Sequence, residues 1–215
     1  MSVDVKICGL TDERGLVAAM DGGAAYVGFV FFRRSPRFVT TEQAANLVAM
    51  VERGITSVGL FVDPTDADLK SVLENVGLQM IQLHGKETPE RVDQVKALTG
   101  LPVMKALGIE TARDVVAAQA FEGHADRMLF DAKPPKNATR PGGNALAFDW
   151  PVMKSISLKM PWMLAGGLTA RNVAGAIKAS GARGVDVSSG VETQPGIKSP
   201  AKIRSFLKAV QGVNL

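Results

Sequence analysis

The chain has little of several things. Among 215 residues there is one cysteine, Cys8, and two histidines, His84 and His124. One cysteine excludes an internal disulfide framework and any cysteine-rich zinc or iron–sulfur site. Two histidines do not make a histidine cage, and no metal or cofactor is expected. Aromatic residues make up 6% of the chain, which leaves little for stacking nucleic-acid bases. The formal net charge is only +4 and is spread along the chain, so no nucleic-acid partner is expected. No run of about 18 apolar residues free of charge occurs, so no membrane span is expected. Asp4 and Lys6 fall where a signal peptide needs an apolar core. These features read as a soluble protein of the reducing cytoplasm.

What is present is a repeat. Short apolar or β-branched runs recur with a period of about 27 residues, the length of 215 divided by eight. The runs are 3–8, 26–31, 57–62, 80–84, 103–107, 127–131, 162–165 and 184–187. Their near-continuous hydrophobicity suits strands buried on both faces of a parallel sheet. Helix-start signals follow: Thr11 before Asp12 and Glu13, Thr40 with Gln43, Thr65 before Asp66 and Asp68, Thr88-Pro89, and Ser199-Pro200. A hydroxyl there accepts from free N–H groups of the first turn, and proline gives up an N–H that has no partner. Segments 42–51, 67–76, 90–98 and 201–210 carry apolar residues at helical spacing. No linker divides the chain. Residues 1–215 are therefore read as one domain, a compact α/β protein with the (β/α)8 TIM-barrel architecture. Only Gly9 follows the first strand, which gives no dinucleotide fingerprint. The one long irregular stretch is 132–148, of a length that is usually functional or disordered.

In such a barrel the active site lies at the C-terminal ends of the strands. Strand 1 ends in Lys6-Ile7-Cys8-Gly9. A lone cysteine is commonly an inert buried hydrophobe. At a strand end, with positive charge lowering its pKa, it becomes a candidate nucleophile or general base. After strand 2, Ser35-Pro36-Arg37 offers a guanidinium on a stiff loop, suited to a carboxylate or phosphate; the plainer reading is a surface arginine. Arg33, Arg34 and Arg37 in one loop and Lys133, Lys136 and Arg140 in another would together attract an anion if both open on one face. His84 ends strand 4 and reads either as a proton carrier or as a hydrogen-bonded support of the rim. His124 precedes strand 6 and belongs to the opposite face.

Asp131 ends an apolar strand 6, where desolvation would raise its pKa and suit it to act as a general acid. The alternative is a carboxylate paired with Lys133 or capping the next turn. Gly166-Gly167 after strand 7 and Ser188-Ser189-Gly190 after strand 8 match the usual phosphate-binding position of this architecture. Alternation turns Asp186 away from Val185 and Val187, into a role ordering the neighbouring loops.

These strand ends, taken in order, resemble the phosphoribosylanthranilate isomerase family of tryptophan biosynthesis. The matching pieces are KICG at 6–9, VGFVF at 27–31, SPR at 35–37, VGLFV at 58–62 and QLHG at 82–85. FDAK follows at 130–133, then GG at 142–143, FDW at 148–150, LAGGL at 164–168 and GVDVSSGVE at 184–192. The resemblance implies that Cys8 is the general base and Asp131 the general acid. It implies that Arg37 holds the anthranilate carboxylate and that Gly166, Gly167, Ser188, Ser189 and Gly190 hold the phosphate. It departs after Gly196, where Ile-Lys-Ser-Pro stands in place of an acidic residue after the lysine. The implied reaction is an Amadori rearrangement without metal or redox cofactor, on a small phosphorylated substrate. A monomer is favoured over a dimer, because no long exposed apolar stretch stands out. Two alternatives stay open: the related isomerase of histidine biosynthesis, which usually pairs two aspartates, and a catalytically silent barrel that binds a phosphorylated ligand.

Overall fold

The computed structural model describes residues 3–133, 150–155 and 157–213. Eight parallel strands close into a barrel in sequence order. They are β1 (Asp4–Cys8), β2 (Tyr26–Val30), β3 (Thr56–Phe61), β4 (Met80–Leu83), β5 (Val103–Ile109), β6 (Arg127–Ala132), β7 (Trp162–Leu164) and β8 (Gly184–Val187). β1 pairs with both β2 and β8, which closes the ring. The helices are α1 (Glu13–Asp21), α2 (Thr41–Ala49), α3 (Asp66–Leu73), α4 (Pro89–Thr99), α5 (Ala112–Ala117), α6 (Val173–Ser180) and α7 (Pro200–Gln211). Between β6 and β7 the described residues form a short 3-10 helix, Trp150–Ser155.

The caps follow the sequence signals at four starts. Thr40, Thr65, Thr88 and Ser199 each accept a backbone N–H of the first turn. α1 differs. Asp12, not Thr11, is its cap, accepting from Gly15 N at 2.7 Å. Thr11 instead donates to the Gly196 carbonyl at 3.2 Å. After β8 the chain adds a small antiparallel hairpin that the repeat did not predict, β9 (Glu192–Gln194) and β10 (Ile197–Lys198). Its turn, with Gly196 at φ 88°, packs against the Pro36 carbonyl, and a side chain at position 196 would strike it.

Alternation along each strand produces two cores. One face of the strands meets the helices in the larger cluster, where Ile7, Val27, Phe29, Val185 and Val187 are buried. The other fills the barrel with Val58, Met80, Met104, Ala106, Leu129, Met163 and Ala165, under a second group of Cys8, Val30 and Leu60. Lys6 and Asp186 break the apolar pattern. They are register partners on β1 and β8, and Lys6 Nζ donates to Asp186 Oδ1 at 2.8 Å inside the barrel. Burying two charges is costly unless each has its partner, and here each does.

Candidate active site

The functional side chains converge because five neighbouring strands end side by side. Around the rim the order is β6, β7, β8, β1, β2. Along that arc stand Asp131, Gly166-Gly167, Ser188-Ser189-Gly190, Cys8 and then Arg37. Residues 134–149 lie outside the described residues. With them lie Lys136, Arg140, Gly142-Gly143, Phe148-Asp149 and most of the stretch 132–148.

Cys8 is buried, with Lys6 two residues back on the same strand face. A side chain at Gly28 of β2 would meet Cys8 Sγ at 3.1 Å and Lys6 Nζ at 3.2 Å, so both groups border the space that Gly28 leaves open. Burial pushes the thiol above its ordinary pKa. The Lys6 ammonium pulls it down and the Asp186 carboxylate pushes it up, and the net direction is up. This corrects the expectation from sequence: positive charge is present, but desolvation outweighs it. For Lys6, burial alone would lower the pKa. Asp186 and Cys8 outweigh that and hold the ammonium above its usual range.

Asp131 is buried at the end of β6. Its Oδ1 accepts from the Ala132 N–H at 2.8 Å, and its Oδ2 faces His84 Nε2 at 3.6 Å. The pairing with Lys133 does not form. Lys133 lies against Glu110 and Asp114 at 3.4 and 3.6 Å. His84 Nδ1 lies 3.0 Å from Gln82 Nε2. Which of the two groups donates depends on the imidazole tautomer. The sequence reading quoted Gln82 within QLHG without giving it a role. His124 lies far from this rim and pairs with Asp93 at 2.7 Å.

Arg37 is not a surface arginine. It is 4% exposed, and its side chain crosses Gly9, where a Cβ would lie 2.6 Å from Arg37 Cδ. Nε and Nη2 donate to the two carboxylate oxygens of Glu192 at 2.6 and 2.8 Å. Lys198 Nζ donates to the same Glu192 Oε1 at 2.7 Å, to the Ser188 carbonyl at 3.0 Å and to Ser188 Oγ at 3.2 Å. Burial raises the Glu192 carboxyl, but Arg37 and Lys198 outweigh it, and the net direction is down. Burial lowers Lys198, and Glu192 only partly restores it. The sequence reading quoted Glu192 and Lys198 within motifs without giving either a role. Of the other loop cations, Arg33 stacks over Phe38 at 5.5 Å.

The glycine and serine loops have the backbone that close anion approach requires. Gly166 and Gly167 have φ of 87° and 60°. A Cβ at Gly166 would lie 2.7 Å from Ala132 N and 3.2 Å from Asp131 Oδ1, and one at Gly190 would strike the Leu168 carbonyl. Among the described residues the backbone N–H groups of Gly167, Ser189 and Gly190 make no backbone hydrogen bond outside their own turn, and free donors at such turns can cradle an anion. Among the described residues, no group of three or more His, Cys, Asp or Glu could hold a metal ion.

Residues 5–209 match the family described as N-(5'phosphoribosyl)anthranilate (PRA) isomerase. The chain belongs to the N-(5'-phosphoribosyl)anthranilate isomerase family. It is 56% identical over 212 residues to the family's protein from Paramagnetospirillum magneticum, covering 99% of each chain. It is 58% identical over 207 residues to the one from Paracoccus denitrificans, covering 96% of each. The solved phosphoribosyl anthranilate isomerase from Thermotoga maritima superposes with a TM-score of 0.86 at 32% identity, over 98% of this chain and 100% of that one. Another solved phosphoribosyl anthranilate isomerase, in complex with reduced 1-(o-carboxyphenylamino)-1-deoxyribulose 5-phosphate, superposes at 0.83 with 31% identity, over 98% and 100%. This isomerase family therefore accounts for nearly the whole chain.

Proposed function

We propose that this chain converts N-(5'-phosphoribosyl)anthranilate into 1-(2-carboxyphenylamino)-1-deoxyribulose 5-phosphate, the isomerase step of tryptophan biosynthesis. One observation carries the reading. An aspartate and a cysteine end inward-facing strand positions on β6 and β1, and the two glycine-serine loops of β7 and β8 lie between them. A phosphate held by those loops sets the ribose between the two side chains. Asp131 gives its proton to the furanose ring oxygen as the bond from that oxygen to C1' breaks, leaving a Schiff base at the anthranilate nitrogen. Cys8, as thiolate, takes the C2' proton. The electron pair of that C–H bond forms the C1'–C2' double bond of an enolamine, which tautomerises to the ketone. Hydrogen moves from C2' to C1' overall, so the reaction balances without an external oxidant or reductant.

Arg37 holds the anthranilate carboxylate through Nη1, since Nε and Nη2 already donate to Glu192. Gly166, Gly167, Ser188, Ser189 and Gly190 hold the phosphate, and His84 and Asp186 support Asp131 and Lys6.

The test is turnover of phosphoribosylanthranilate, followed by loss of its fluorescence, with the aminoaldose of histidine biosynthesis as the competing substrate. Cys8→Ala and Asp131→Asn should each lose about 10²–10⁴-fold in kcat with the circular dichroism unchanged. Near-wild-type turnover in either variant would refute the assigned roles. We also infer a monomeric cytoplasmic enzyme. The exposed large hydrophobics Val17, Met50, Val116 and Ile197 come from separate elements, and among the described residues no helix is long and apolar enough to cross a membrane. Light scattering at micromolar concentration checks the oligomeric state. The solved relative from Thermotoga maritima is named as dimeric.

A further inference from the structure

The two ends of the proposed substrate bind on different loops, Arg37 after β2 and Ser188 after β8. The side chain of Glu192, on the hairpin that follows β8, joins them. Its Oε1 accepts from Arg37 Nε at 2.6 Å and from Lys198 Nζ at 2.7 Å. Lys198 then donates to both oxygens of Ser188. The side chains of Arg37, Glu192 and Lys198 are no more than 5% exposed, so water does not compete for these bonds. The hairpin also braces the β2 loop through its backbone, where Gly196 packs against the Pro36 carbonyl.

We propose that Glu192 is a positioning residue for both anion sites at once: it fixes the plane of Arg37 for the substrate carboxylate and, through Lys198, fixes Ser188 for the substrate phosphate. Side-on capture of Nε and Nη2 turns the remaining Nη1 edge outward in a single orientation. A guanidinium held by one carboxylate is pre-organised for a second, because less side-chain freedom is lost on binding. At the other end, Lys198 pulls on the carbonyl and hydroxyl of the same residue and fixes the start of the Ser189-Gly190 turn. This inference rests on the proposed isomerase reading for the identity of the two anions.

The experiment measures binding of two separate fragments, anthranilate and inorganic phosphate, by titration calorimetry on the full chain. Arg37→Ala should weaken anthranilate alone, and Ser188→Ala phosphate alone. Glu192→Gln keeps the shape but loses the charge that holds both cations. It should weaken both fragments by roughly fivefold or more, the scale of ordinary coupling between sites. Lys198→Met cuts only the branch to Ser188 and should weaken phosphate alone. Loss of one fragment or neither in Glu192→Gln overturns the proposal. If Glu192→Gln loses its native circular dichroism, Glu192→Met, which also removes the charge, replaces it under the same criterion. Fragment binding is read without turnover. An inactive wild type that still shows this pattern would refute the isomerase reading and leave the positioning role standing.

Discussion

Replacing Lys6 with methionine removes the ammonium beside Cys8 and leaves a side chain of similar length. Lys6 Nζ and Cys8 Sγ lie within 3.2 Å of the same point, the one a Gly28 side chain would fill. They are therefore at most about 6.4 Å apart, and at an effective dielectric constant of about 20 a thiolate there gains about 2.6 kcal/mol or more from the ammonium. Each 1.4 kcal/mol or so is tenfold in the thiolate population. Because burial holds the thiol above its ordinary pKa, neutral pH lies on the ascending limb of kcat/KM. Lys6→Met should lower kcat/KM there by roughly two orders of magnitude and move the limb to higher pH. Asp186→Asn does the reverse. That carboxylate disfavours the thiolate from about 9 Å or less, so its loss should move the limb to lower pH, with an effect of roughly twentyfold. The assay is the pH profile of kcat/KM for the wild type and both variants, with Tm measured alongside. A merely structural role for the pair predicts losses of the same sign and an unmoved limb. Limbs that fail to move in opposite directions would refute the electrostatic argument.

Other expectations follow from single contacts. Gly28→Ala puts a Cβ 3.1 Å from Cys8 Sγ and should lower kcat more than it raises KM, checked by steady-state kinetics. Gly190→Ala drives a side chain into the Leu168 carbonyl; KM should rise while a phosphate-free fragment binds as before. His84→Phe removes the imidazole nitrogen that lies 3.6 Å from Asp131 and should lower kcat modestly while retaining native circular dichroism. Glu192 has a depressed folded-state pKa. Its contribution to stability is complete above its unfolded value, about 4.3, and is lost as pH falls through the lower folded value. Acid melts of Glu192→Gln should therefore lack part of the wild-type slope below that pH.

The barrel was legible because its signals are local. Each strand is a short run buried on two faces, and most helices announce themselves with a hydroxyl or a proline. The α1 cap misled because two good capping residues adjoin. Asp12 sits one position nearer the first turn and takes Gly15 N, which frees Thr11 to reach the hairpin. Cys8, Asp131 and the glycine-serine loops were legible for the same reason, since each closes a recognisable strand. The partner of Arg37 was not. Glu192 is 155 residues away in sequence, and no spacing rule links a loop after the second strand to a hairpin after the eighth.

That difference bears on how the site works. The proposed reacting groups stand on strands, where the closed hydrogen-bonded ring fixes their positions. The proposed anion-binding groups stand on loops, which no ladder fixes, and there the chain uses buried charge instead. Arg37, Glu192 and Lys198 are taken out of water together, at a desolvation cost that a merely structural link between two loops would not require. Apolar residues of the same size would hold the loops at less cost. They could not present a guanidinium edge to a carboxylate or hold Ser188 by two bonds. The guanidinium edge and the Ser188 turn are then in place for the two anionic groups of the proposed substrate. The same logic applies beneath Cys8. A neutral Lys6–Asp186 pair sets the field at the thiol without adding net charge to the barrel interior, so replacing either partner changes the field at the base and also leaves a buried charge without its partner.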